Sequence, residues 1–227
     1  MEETILLEMY LFINPIGSTC YHAEQNILDM IQEAREDVRF RFIPLMNMQS
    51  VQDIMEMNGK SRTDLATRNK LVMNIYHAAL DFKASLFQGK KRGRNFLLSI
   101  QRQMEYSVDG NYTNDIAMQA ALESGLDKEM FIHDRNSEFT AKSFMKDQKT
   151  SAEMNVKHHP TVVLFNVKGY DCGIAMDACK SDHVLKEILA GRMPTDLVEK
   201  DCGCHSQMNS FLKSNRTPLK IQIDSNN

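Results

Sequence analysis

Tyr10-Leu11-Phe12-Ile13-Asn14-Pro15-Ile16-Gly17-Ser18-Thr19-Cys20-Tyr21 is the stretch on which the fold turns. From Glu8 to Ile13 the chain is apolar and rich in strand formers, and Asn14-Pro15 closes it, so a buried strand is predicted. Ser18 or Thr19 supplies a helix cap, after which Ala23, Ile27, Met30, Ile31 and Ala34 recur at helical spacing. Val38, Phe40 and Phe42 then alternate with Arg39 and Arg41 ahead of Ile43 and Pro44, which predicts a second strand. One helix between two strands implies a right-handed parallel βαβ unit.

Beyond it the chain changes character. From about Asn47 to Asn155 no strand pattern stands out, and helical patterns follow one another over 65–87, 95–106, 115–123, 128–135 and 139–154. Thr113 or Asn114 caps the third of these, Gly125 closes it, and Ser137 opens the last. Strand chemistry returns behind His159-Pro160 as Thr161-Val162-Val163-Leu164-Phe165-Asn166. Lys168-Gly169 is read as a tight turn into a partner strand from Tyr170 to Met176. Ser181 or Asp182 then caps a helix carrying Val184, Leu185, Ile188 and Leu189, which Gly191 ends. The order is βαβ, a helical block, then ββα. The expected domains are 3–46 with 156–192, an inserted helical domain over 47–155, and a polar tail, 193–227, expected to be mobile.

This α/β order is the thioredoxin fold with a helical insertion, and two local motifs sharpen it. The Tyr10–Tyr21 stretch resembles the signature of the DsbA-like family, in which a strand ends in Asp-Pro and Cys-x-x-Cys-Trp opens the first helix. Aligned without gaps, Asn14-Pro15 takes the place of Asp-Pro and Tyr21 that of Trp, Gly17 falls on the first cysteine and Cys20 on the second. The run Val156-Lys157-His158-His159-Pro160-Thr161 resembles the family's cis-proline loop, so the bond before Pro160 is expected to be cis. Within the family the chain is most similar to the SpxH (YjbH) type adapters of Firmicutes, on Ser151-Ala152-Glu153-Met154-Asn155-Val156, the strand after Pro160, and Tyr170 to Leu189. Some of those adapters carry a His/Cys-rich stretch before the first strand. It is absent here, so no metal role tied to it carries over.

The resemblance gives the missing cysteine its meaning. At the N-terminus of a helix the free N–H groups and the dipole stabilise a thiolate, which attacks while the second cysteine resolves the mixed disulfide. Gly17 has nothing to ionise, so that cycle is closed to the degenerate motif Gly17-Ser18-Thr19-Cys20. Cys20, one turn into the helix, reads either as a residual monothiol or as a small buried apolar residue. Cys172, Cys179, Cys202 or Cys204 are the thiols with which it would have to work. Cys202, Cys204 and His205 offer three ligands for a metal, but not at the spacing of a structural zinc site. His159, Pro160 and Thr161 form the expected cis-proline loop.

Composition narrows the rest. A net charge of −3 provides no basic field for nucleic acid, and no apolar run is long enough to span a membrane. The acidic start, Met1-Glu2-Glu3, is not a secretory leader, and five scattered cysteines are no disulfide framework, so a cytoplasmic location is expected. Among sixteen methionines, Met46, Met48, Met55 and Met57 crowd one stretch, as core filler or adaptable surface. The basic run Lys90-Lys91-Arg92-Gly93-Arg94 reads as a solvated junction between helices. Taken with the resemblance, these features imply an adapter that binds an Spx-like regulator and promotes its degradation by ClpXP, with no cofactor. The alternative is a dithiol–disulfide oxidoreductase or isomerase with a degenerate site.

Overall fold

The computed structural model describes residues 6–34, 37–107, 110–168, 170 and 172–192. Backbone contacts divide the chain into two units, one from 1–11, 27–41 and 161–227, the other from 12–26 and 42–160. Cys202, Cys204, His205 and the whole of 193–227 lie outside the described residues.

The first unit holds a four-stranded sheet built from β1 (Leu7–Ile13), β2 (Val38–Pro44), β3 (Thr161–Phe165) and β4 (Ile174–Asp177), in the order β2-β1-β3-β4. β1 and β2 run on past the unit's edge. Val162, Val163 and Leu164 are all buried, as a strand covered on both faces requires. Tyr10 of β1 meets Phe165 of β3 edge-on at 5.8 Å, and the Arg41 guanidinium lies 5.7 Å from the centre of the Tyr10 ring. The last described helix, α8 (Asp182–Leu189), buries Leu185, Ile188 and Leu189.

β3 and β4 form the expected antiparallel pair, but not around a tight turn. Leu164 is opposite Ile174, so the connection is long and β4 starts four residues later than the sequence suggested. The reason is packing: Val167 is buried, and the Tyr170 N–H closes a turn on its carbonyl at 3.0 Å. A Cβ at Gly173 would stand 2.6 Å from the Phe165 ring, so this connection passes directly against β3. Ser181 sits at the N-cap position of α8 without a side-chain capping bond.

The second unit is mainly helical: α2 (Met48–Met57), α3 (Leu65–Ser85), α4 (Lys90–Glu105), α5 (Asn114–Glu123), α6 (Lys128–Arg135) and α7 (Glu138–Glu153). The capping expectations hold: Thr113 accepts from the Ile116 N–H, Ser137 from the Thr140 N–H, and Gly125 adopts φ 71° after α5. α4 begins earlier than its apolar pattern, at Lys90, after a 3-10 turn over Leu86–Gln88 and Gly89 at φ 117°. Gly93 makes that corner possible, since a Cβ there would lie 2.6 Å from Leu86 Cδ2 and 3.1 Å from its Cα. No helix among the described residues is long and apolar enough to cross a membrane.

Among the described residues of this unit one ion pair is buried and another is partly buried. Lys83 Nζ of α3 donates to Asp147 Oδ2 of α7 at 2.6 Å, and Arg135 grips Asp81 through Nε at 2.7 Å and Nη2 at 2.6 Å, with the Tyr112 hydroxyl donating to the same carboxylate. Breaking a buried pair strands one charge, whereas replacing both partners by apolar groups does not. Lys83→Met is therefore expected to destabilise the protein by about 3–5 kcal/mol in denaturant melts, and Lys83→Met/Asp147→Leu to recover most of that loss.

Candidate functional site

α1 (Ser18–Gln32) starts from the turn that follows β1. The Gly17 N–H closes that turn on the Asn14 carbonyl at 3.1 Å, and Asn14 Oδ1 accepts from the Ile16 N–H at 3.1 Å. The Gly17 carbonyl accepts the first intrahelical bond, from the Tyr21 N–H at 3.0 Å, so Gly17 occupies the capping position. Ser18 and Thr19, expected as caps, are instead the first two residues of the helix, and both are exposed. A Cβ built on Gly17 would stand 3.2 Å from Cβ and Nδ2 of Asn14, so a side chain there would push this asparagine aside by a few tenths of an ångström.

Cys20 is fully buried and forms no disulfide among the described residues. Its Sγ accepts the Asn14 N–H at 3.2 Å and lies 3.5 Å from Nδ1 of His159. The bond between His159 and Pro160 is cis, as the motif implies. Burial lowers the His159 pKa to about 4, so near neutral pH the imidazole is uncharged. An uncharged ring gives the sulfur no cation, and His159 Nε2 is itself buried without a hydrogen-bond partner. The site holds a buried sulfur among neutral polar groups, which is poor ground for an attacking thiolate.

Glu24, one turn beyond Cys20, was missed by sequence reasoning. It is fully buried, and its Oε1 accepts from Gln101 Nε2 of α4 at 2.6 Å. The same Nε2 donates to the Asn14 carbonyl at 3.2 Å. Burial raises the Glu24 pKa well above the ordinary range, the Gln101 bond opposing it only in part. A signal existed, because Glu24 shares the apolar stripe of Cys20, Ile27 and Ile31, and Gln101 that of Leu97 and Met104.

α2 braces the cis-proline loop. Asn47 caps α2 by accepting from the Ser50 N–H at 2.8 Å, while its Nδ2 donates to the Lys157 carbonyl at 3.1 Å. His158 Nδ1 meets Asp53 Oδ2 of α2 at 2.8 Å. Burial alone would raise the Asp53 carboxyl, but the bonds from Gln49 and His158 outweigh it and hold the pKa below its usual value. The methionines divide between the two roles considered for them. Met55 packs with Val51 and Ile75, whereas Met48 and Met57 are 52% and 73% exposed. Cys172 and Cys179 are free and exposed, and burial with Asp177 and Asp182 raises the Cys179 pKa. Among the described residues no group of three or more His, Cys, Asp and Glu is placed to hold a metal ion.

Comparison with known proteins bears on the family and the fold. The thioredoxin family pattern matches residues 10–187. The ClpXP adapter protein SpxH of Bacillus subtilis is 28% identical over 205 residues, covering 81% of this chain and 66% of that protein. The ClpXP adapter protein SpxH of Shouchella clausii is 29% identical, covering 74% of this chain and 61% of that protein. The chain thus spans about two thirds or less of the length of these curated relatives. Among solved structures, the cytosolic disulfide reductase DsbM from Pseudomonas aeruginosa with GSH superposes at a TM-score of 0.52 with 17% identity, covering 80% of this chain and 95% of that one. The oxidoreductase DsbA from Xylella fastidiosa gives 0.52 with 12% identity, covering 81% and 84%. At such identities these two structures speak to the fold.

The two perturbed buried groups tilt stability against pH in opposite directions. Folded Glu24 keeps its proton when the unfolded chain has lost it, so its contribution is fully present below the unfolded value near 4.5 and is lost as pH rises. Glu24→Gln is expected to remove that loss, so that its melting temperature exceeds that of the wild type increasingly from pH 5 to pH 8. Folded His159 resists protonation, so its contribution is present above about 6.5 and is lost as pH falls towards about 4. His159→Asn is expected to flatten that acid limb in thermal melts between pH 7 and pH 4.

Proposed function

The chain belongs to the thioredoxin family, and we propose that within it this protein acts by binding another protein rather than by dithiol exchange. The observation that carries the reading is the state of the site: the Cys20 sulfur is buried beside a neutral imidazole on a cis-proline loop, and on the family's pattern the attacking position falls on Gly17, which has no side chain to ionise. Losing the nucleophile ends turnover and leaves a recognition surface. In this fold an extended segment of a partner can pair beside the cis-proline loop as an added strand. The exposed Met48 and Met57 of α2, the helix that braces that loop through Asn47 and Asp53, provide adaptable apolar contact next to it.

The SpxH relatives are named as ClpXP adapters, which makes a ClpXP adapter the specific form of this proposal. Its client would be an Spx-like regulator, and its place of action the cytoplasm. Cys20 then serves as packing, and the oxidoreductase alternative requires that sulfur to become exposed and ionised.

Purified protein is expected to accelerate ClpXP degradation of Spx, and Cys20→Ala to preserve most of the acceleration. Absence of acceleration would refute the adapter reading. An insulin-reduction assay separates the alternative: turnover that disappears in Cys20→Ser would establish redox chemistry at this site.

A further inference from the structure

The basic run Lys90-Lys91-Arg92-Gly93-Arg94 has no part in the site described above. It forms the first turn of α4, where Lys90, Lys91 and Arg92 are exposed and make no ion pair among the described residues. The turn before it carries Phe87, 37% exposed, whose ring meets that of Phe139 at 5.0 Å between centres. Phe139, near the start of α7, is 67% exposed. Two outward-facing aromatic rings in mutual contact are unusual on a surface without a partner, because aromatic side chains are the anchors that interfaces bury.

The corner is also held rigidly. Gly93 lets Leu86 close on α4, as its short Cβ distances show. On the other side Gln88 and the backbone of Asp127 exchange two hydrogen bonds, Gln88 Nε2 donating to the Asp127 carbonyl at 3.0 Å and the Asp127 N–H to Gln88 Oε1 at 2.7 Å. These bonds hold the backbone that carries Phe87 in position before any partner arrives, which lowers the entropic loss on binding.

We propose that this corner is a second docking surface, for an acidic peptide segment carrying an aromatic or large aliphatic anchor. The anchor packs against Phe87 and Phe139, and the acidic side chains meet Lys90, Lys91 and Arg92. Charge complementarity selects this occupant, since the first turn of α4 contains no acidic residue. No residue of the corner belongs to the cis-proline site, so the proposal stands apart from the adapter reading.

The test is fluorescence anisotropy of the full chain with a labelled peptide of mixed Glu and Asp around a central Phe-Leu pair. The wild type is expected to bind saturably, and more weakly as salt is raised. Lys90→Glu/Lys91→Glu and, separately, Phe139→Ser are each expected to weaken binding roughly tenfold with unchanged circular dichroism, while Cys20→Ala binds as the wild type does. No saturable binding would overturn the proposal. So would equal binding of a peptide lacking the Phe-Leu pair, equal binding by the variants, or preferred binding to phosphatidylglycerol vesicles or to single-stranded DNA. A loss here with Spx degradation still accelerated rejects this surface alone.

Discussion

The amide group of Gln101 is the point from which the candidate site is hung. Its nitrogen donates both to the Glu24 carboxyl and to the Asn14 carbonyl, and so ties α4 to α1 and to the turn between β1 and α1. That turn decides where Gly17 caps the helix and where the Asn14 N–H meets the Cys20 sulfur. Without the amide, Glu24 would lose its hydrogen-bond donor inside a dry core, where an unsatisfied polar group costs about 1–3 kcal/mol. Burial raises the Glu24 pKa and so favours its protonated form, in which the tie is between neutral groups and avoids the larger penalty of a buried charge.

The same neutrality settles the character of the sulfur's surroundings. Three features favour a thiolate in a thiol enzyme: exposure, a position at the very start of a helix, and a nearby cation. Cys20 lacks the first because it is fully buried. It lacks the second because the helix opens at Gly17. His159 cannot supply the third at neutral pH, since burial has stripped it of its proton. What persists is a set of polar contacts that tie the Asn14 turn, α1 and the cis-proline loop together, which is a structural role.

Much of this could be read from the residues, and the reasons for success and failure differ by element. Strand β3 and the cis-proline loop were legible because His159-Pro160-Thr161 combines a local backbone constraint with an unbroken apolar run. Thr113, Gly125 and Ser137 marked helix ends because capping is chemistry within one turn. The β3–β4 connection was misread because a Lys-Gly pair is a turn signal only if its neighbours are exposed, and Val167 is instead buried. The start of α4 was misplaced because its first turn has no apolar face. Glu24 and Gln101 left a faint trace, polar residues on apolar stripes, but their pairing spans 77 positions and no local rule supplies it. The brace from Asp53 to His158 spans 105 positions and is equally beyond a local reading.

The misplaced start of α4 has a physical explanation that bears on function. Cations at a helix N-terminus oppose the helix dipole, each typically by about 0.3–1 kcal/mol. α5, α6 and α7 follow the favourable rule with Asp115, Glu129 and Glu138 in their first turns. α4 breaks it with consecutive basic residues and has Gly89 at its N-cap position, where there is no side chain to make a capping bond. Such a conflict between local preference and structure adds nothing to folding, and here packing around Gly93 holds the turn in place against it. α5, α6 and α7 each combine a side-chain cap with an acidic first turn, and α4 has neither. Exposed cations beside paired aromatic rings would be neutralised by the acidic partner proposed for this corner, which would give the exception a use outside folding.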